Sequence, residues 1–172
     1  MKNINIQYFK HPYAEFILGS FDNTLCLCDF RYRAMRRTID TRIKHTLNAD
    51  FIEKSDDITT AAEQQLTQYF MAERRHFDIP LRMVGNDFQQ SVWQTLTSIP
   101  YGGTATYDDL AKHLPAKYTT QNIHHANGAN ALAIIVPCHR ILDISGSLVG
   151  YGGGLSLKKR LLDLEHNLFN PL

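Results

Sequence analysis

The sequence predicts a two-domain chain of mixed α/β and α+β class. A small N-terminal mixed β-sheet with helices occupies residues 1–82, and a mostly α unit follows over 83–172. Three observations carry this. Residues 16–30 run apolar in the manner of two strands around a turn. Two later stretches repeat apolar residues every three or four positions. Between them, Asp78-Ile79-Pro80-Leu81 breaks the pattern, and the second unit begins at about Met83.

In the first unit, 16–21 and 24–30 read as strands joined by a turn at Asp22-Asn23. Cys26 and Cys28 lie two apart, so on a regular strand both face the same way. A zinc site needs two further ligands that no close Cys/His pair supplies, which makes core packing the expectation. Arg31, Arg33, Arg36, Arg37, Arg42 and Lys44 form a basic stretch read as a solvated helix face, with phosphate contact as the alternative. Asp56-Asp57 opens a helix with Ile58, Ala62, Leu66, Tyr69 and Phe70 on one stripe.

In the second unit, Phe88, Val92, Leu96 and Ile99 make a helical stripe with Trp93 beside it, and Pro100-Tyr101-Gly102-Gly103 makes a turn. Thr106, with Asp109 three residues on, is an N-cap for a short helix. Thr119 or Thr120 caps a second helix over 121–127, closed by Gly128. Two short helices with a tight connection form a candidate helix-turn-helix. A hairpin over 142–149 turns at Ser145-Gly146, and the loop Gly150-Tyr151-Gly152-Gly153-Gly154 allows close backbone approach to a flat ligand. A last helix, 155–164, puts Leu157, Leu161 and Leu164 inside and Lys158, Lys159 and Arg160 outside, with Glu165 at its end.

Composition bounds the function. Of 172 residues, 44% are hydrophobic and 20% charged, as in an ordinary globular protein. No apolar run approaches the ~20 residues that span a bilayer, and the first residues lack a signal-peptide core. Three cysteines, an odd number, point to a reducing cytoplasm rather than a disulfide framework. The net charge is +1, and from Met83 onward six Lys/Arg balance six Asp/Glu, less basic excess than DNA-binding units usually carry.

The chemistry concentrates in Ile134-Ile135-Val136-Pro137-Cys138-His139-Arg140, an apolar run of strand type stopped by proline and followed by a thiol, an imidazole and a guanidinium. A free thiol, with a pKa of ~8.5, is a poor nucleophile until deprotonated, and a neighbouring base or cation can activate it. These residues alone leave a small buried hydrophobe and an activated nucleophile equally open.

Several separated pieces then agree in spacing: Phe88-Gln89 with Val92-Trp93, Ile99-Pro100-Tyr101-Gly102, Thr106-Tyr107, Ala126-Asn127-Gly128-Ala129-Asn130, Ile135-Val136-Pro137-Cys138-His139-Arg140, and Gly153-Gly154-Leu155 leading to Glu165. Together they resemble the methylated-DNA–protein-cysteine methyltransferases, which repair guanine alkylated on its exocyclic oxygen. The resemblance implies a winged helix-turn-helix-like second domain and a first domain that is ribonuclease-H-like in outline only. It makes Cys138 the alkyl acceptor, His139 the base acting through a water, Glu165 its orienting partner, Asn130 a hinge and brace, and Tyr107 the donor to the departing guanine. Val149, Tyr151 and Gly152 would line the base pocket. Thr106, Lys117, Gln121, Asn127 and Arg140 would contact DNA or the base. It implies double-stranded DNA containing 6-O-methylguanine as partner, with 4-O-methylthymine left open, a monomer, no membrane, and neither metal nor organic cofactor.

The departures are specific. The family normally opens its recognition helix with an intercalating arginine and a small, glycine-containing segment, where this chain has Gln121-Asn122-Ile123-His124-His125. Ala131 replaces a usual proline, and Gly152 stands where a serine is frequent. These changes predict competent sulfur chemistry with slower or weaker repair. Two rival functions remain at this level: a damage sensor of the same fold that binds lesions without transfer, and a Cys-His-Glu hydrolase acting on small esters or amides.

Overall fold

A computed structural model describes residues 2–167. The first half builds a four-stranded sheet from β1 (Lys2–His11), β2 (Ala14–Phe21), β3 (Thr24–Phe30) and β4 (Ala49–Glu53), in spatial order β3-β2-β1-β4. Consecutive strands β1 to β3 are antiparallel, and β4 lies parallel to β1 after the crossover helix α1 (Arg36–Leu47). The expected β2–β3 turn is present: Asp22 and Asn23 both take left-handed backbone (φ 47° and 58°), the twist that suits a two-residue hairpin. Strands β1 and β4 were not apparent from the sequence. In β1 only Ile4 and Ile6 are buried among polar and aromatic neighbours, too short an apolar alternation to register.

The two cysteines of β3 do not share a face. Leu27 opposes Gly19 while Leu25 opposes Ser20, so Cys26 is an extra residue in a β-bulge. The bulge inverts the side-chain alternation, sending Cys28 into the cluster with Phe16 and Leu18 and Cys26 into the one with Ile4 and Ile39. Burial pushes the Cys26 thiol up to about 12 and the Cys28 thiol higher still, so both are inert packing groups.

Helix α2 (Asp57–Phe70) is started by Asp56, whose carboxylate accepts from Thr59 N–H while the Thr59 hydroxyl accepts from Asp56 N–H. Its buried stripe of Ala62, Leu66, Tyr69 and Phe70 covers the sheet. Trimming Leu66 to Ala would cost about 2–5 kcal/mol. The second half consists of α3 (Asp87–Thr97), β5 (Ala105–Thr106), α4 (Tyr107–Ala111), α5 (Thr120–Gly128), β6 (Ile141–Leu142) and α6 (Leu155–Glu165). Thr106 caps α4 and Thr119 caps α5, each with a reciprocal box, as the sequence suggested. Gly128 lies in the last turn of α5 rather than after it. The loop after β6 turns at Gly146 (φ 82°), where Leu142 bridges Leu148.

The free edge of β3 joins the two halves. Leu25 N–H donates to the Pro80 carbonyl and Arg82 N–H to Leu25 (2.8 and 2.9 Å). Farther along, Cys28 N–H donates to Ala131 and Ala133 N–H to Cys28 (2.8 and 2.7 Å). A strand edge left open would present unpaired donors and acceptors. Here it holds the segment leading to Cys138, and one apolar cluster runs from Phe16 and Leu66 through Leu96 to Val136 and Leu161. Among the described residues no helix is long and apolar enough to cross a membrane.

Candidate active site

The apolar run before Cys138 is not a strand. Ile135 N–H donates to Ala133 across Ile134, a γ-turn that holds Ile134 at φ 70°, in the left-handed region that β-branched residues avoid. Cys138 N–H donates to Val136 across Pro137 (φ −82°, ψ 61°), an inverse γ-turn for which the proline ring is already set. Ile134 and Val136 are apolar because they are buried, and the only ladder contact here is a single bridge between Ala133 and Val136 among the described residues. The two turns deliver Cys138, His139 and Arg140 in one turn of 3-10 helix with all three side chains buried.

Cys138 is 8% exposed, at the bottom of a cavity of about 280 Å³ lined by Phe30, Arg33, Met35, Asn127, Tyr151 and Gly152 among others. Asn130 directs its amide N–H groups at the Val136 carbonyl (3.0 Å) and at Cys138 Sγ (3.3 Å), while its Oδ1 accepts from Leu132 N–H. Burial pushes the thiol pKa up, and the Asn130 hydrogen bond opposes it. The sulfur is therefore a protonated thiol at rest that needs a base.

His139 supplies one. Its Nε2–H donates to Glu165 Oε1 at 2.7 Å, which leaves Nδ1 as the lone-pair nitrogen, buried and without a partner among the described residues. Burial lowers the imidazole pKa and Glu165 pulls it back. Glu165 is held on all sides. Tyr69 O–H donates to it at 2.7 Å, Arg140 Nε and Nη2 at 2.8 and 2.9 Å, and Gly102 N–H at 3.4 Å. Burial alone would raise its pKa, but hydrogen bonds and charge from His139 and Arg140 carry it well below the usual carboxylate range.

Arg140, expected among the DNA contacts, is turned inward, with Nη1 on the Ile99 carbonyl at 2.6 Å and the rest on Glu165. Tyr107, first residue of α4, accepts at its hydroxyl from Asn127 Nδ2 (3.3 Å), which leaves its own hydrogen free to point elsewhere. Burial, then the neighbouring Cys138, push the phenol up to about 12, so it is a donor across the working pH range. Asn127 Oδ1 and Tyr151 O–H are buried without partners among the described residues, and both residues line the cavity. Such groups are free to bond a water or a bound ligand. Val149 offers its carbonyl to Lys158 Nζ (2.9 Å).

The outer residues lie apart from this cluster. Thr106 Oγ1 is engaged by its cap. Gln121 donates to His125 Nε2 (3.0 Å) on the exposed face of α5, Lys117 lies over the Tyr118 ring, and His124 meets Tyr107 edge to face. Lys158, expected outside, is 1% exposed and donates to the Ile141 and Val149 carbonyls. Its burial lowers its pKa to about 8. Sequence reasoning missed Tyr69 and the pair Asp29–Arg33. The only signal was one acid in an otherwise apolar strand.

A family model for the DNA-binding domain of 6-O-methylguanine DNA methyltransferase matches residues 87–167. The methylated-DNA–protein-cysteine methyltransferase of Mycobacterium tuberculosis is 47% identical over 106 residues, 62% of this chain and 64% of the relative, just under two thirds of its length. The protein of the same name from Mycobacterium leprae is 48% identical over 112 residues, 64% of this chain and 68% of the relative. The crystal structure of Mycobacterium tuberculosis OGT in complex with DNA aligns with a TM-score of 0.78 and 32% identity, covering 96% of this chain and 93% of that one.

Proposed function

The chain belongs to the methylated-DNA–protein-cysteine methyltransferase family, and on that premise we propose that it repairs DNA by moving the alkyl group of 6-O-alkylguanine onto its own Cys138, once per molecule. The observation that carries this is a thiol lining a purine-sized cavity, next to a buried imidazole whose Nδ1 has no partner among the described residues.

The thiol proton passes through a water to His139 Nδ1, and Glu165 at Nε2 balances the imidazolium. The thiolate attacks the alkyl carbon in line. The S–C bond forms as the C–O6 bond breaks, and the electron pair remains on the purine. Tyr107 O–H hydrogen-bonds the ring as it takes up that charge, and the departed guanine anion is neutralised by a proton from water, replaced by the one His139 took from the thiol. The product is a thioether, which water cannot cleave as it does an acyl-enzyme, so turnover stops after one event. Asn130 holds the sulfur, and Arg140 and Tyr69 position Glu165.

Reaching the sulfur requires the base to leave the stack, at a cost of a few kcal/mol. In this reading α4 and α5 are the helix-turn-helix of a winged second domain beginning near residue 83, with α5 in the minor groove and Thr106, Lys117 and Gln121 toward the backbone and the vacated base position. The first domain is ribonuclease-H-like in outline. The partner is duplex DNA carrying 6-O-methylguanine, and the protein works as a monomer in the cytoplasm.

Intact mass after incubation with a 6-O-methylguanine duplex tests the proposal. One methylene equivalent is gained per protein, and none by Cys138→Ser. A sensor binds the duplex with no mass change, and a hydrolase is indifferent to the lesion; either result overturns the reading.

A further inference from the structure

Arg33 belongs to the first half of the chain, outside the family match, yet it reaches the reacting cavity. Its side chain is 8% exposed. Nη1 donates to both carboxylate oxygens of buried Asp29 (3.2 Å each) and to the Asn130 carbonyl (3.3 Å), and Nη2 donates to the Gly128 carbonyl (2.7 Å). Arg36 holds the other side of Asp29 at 2.8 Å. Gly152 lies directly against this guanidinium. A Cβ at that position would sit 2.7 Å from Arg33 Cζ and 2.9 Å from Nη1, so a side chain there would have to displace the guanidinium. The space that a serine would fill at position 152 is therefore taken by a guanidinium from the other half of the molecule.

We propose that Arg33 is a base-recognition and leaving-group residue, donating to the O6/N7 edge of the extruded guanine in place of a side chain at 152. This rests on the alkyl-transfer reading above. The purine edge offers two adjacent acceptors, and the planar fork of arginine is the side chain that matches them. Among the described residues, the hydrogen bonds that fix the group are made by Nη1 and Nη2 and leave Nε available. As the C–O6 bond breaks, the electron pair stays on the purine and O6 gains negative charge beside a cation that does not have to move. Asp29 and the carbonyls of Gly128 and Asn130 keep it in place.

The test measures single-turnover transfer from two free bases, 6-O-benzylguanine and its 8-bromo derivative, whose bromine stabilises the departing anion. Arg33→Met slows transfer by on the order of tenfold or more. The loss is larger for 6-O-benzylguanine, the poorer leaving group, a dependence that a purely structural role would not produce. Gly152→Ser alone is slower than wild type because its side chain meets Arg33, whereas Arg33→Met with Gly152→Ser recovers part of the rate. Where Arg33→Met melts too low to assay, Asp29→Asn with Arg33→Met removes the stranded carboxylate, and the same leaving-group dependence is expected of it. A wild-type rate in the Met variants, or an equal loss on both bases, overturns the proposal. Absence of alkylation in the wild-type protein would instead overturn the reading it rests on.

Discussion

Asp29 and Glu165 are both carboxylates with no exposed side-chain surface, each gripped by arginine, yet they sit in different electrical company. Asp29 lies between the guanidiniums of Arg33 and Arg36 and has no imidazole among its ion-pair partners. Glu165 shares its oxygens among Arg140, Tyr69 and His139, and the last of these can change charge near neutrality. The first arrangement is static and fixes positions. The second can take up a proton's worth of charge and let it go, which sulfur alkylation demands. Burial and ion pairing alone do not distinguish a brace from a relay; the titratable partner does.

Glu165→Gln is the strongest way to break the contrast. It leaves Arg140 buried without a counter-charge, a loss of about 3–5 kcal/mol in urea unfolding. It also removes the imidazolium's partner, lowering single-turnover transfer about 100-fold or more. Asp29→Asn should lose about 3 kcal/mol by the same stranding of charge. Its transfer rate, measured below its melting temperature, should fall far less than that of Glu165→Gln. Equal rate losses would mean that the two carboxylates do the same work.

Acid sharpens the comparison. The folded pKa values of His139 and Glu165 both lie below their ordinary ones. On acidification the unfolded chain therefore takes up protons before the folded one does. Stability is fully present near neutral pH, begins to fall as pH drops through about 6.5, and falls further through about 4.3 and below. Urea midpoints across that range should show both steps in wild type and a smaller lower step in Glu165→Gln, where the depressed carboxylates of Asp56, Asp109 and Asp143 remain. Tyr69→Phe should cost about 1.5–3 kcal/mol, the value of a hydrogen bond to a charged group, with a modest change in rate. The smallest effect is expected at the helix proposed to meet DNA. There Gln121→Arg should raise the transfer rate on duplex by about tenfold through restored stacking, leaving free-base transfer unchanged.

Where a structural decision is local, the residues announce it. Asp22-Asn23, the Thr106–Asp109 box and the Thr119 cap all appear where the sequence suggested. The Cys138-His139 pair and Glu165 were legible for a different reason, a spaced pattern shared with a known family. Decisions that depend on distant partners were not legible. Ile134-Ile135-Val136 looks like a strand because burial and β-pairing select the same apolar residues, yet a left-handed Ile134 turns the chain there. Lys158 looks exposed by helical period and is instead buried on two carbonyls, one from β6 and one from the loop that follows it. The Arg33 contact joins residues 97 apart to Asn130, and no window along the chain contains both ends.

Trp93 is the sole tryptophan of the chain. Its indole N–H donates to the Ala126 carbonyl in α5 (2.8 Å), and the Arg42 guanidinium lies 5.3 Å from its ring centre. The molecule thus carries a native fluorophore wired to the helix proposed to enter the groove. Its emission would report the seating of that helix on a duplex in real time, with no dye attached and nothing added to the reacting pocket.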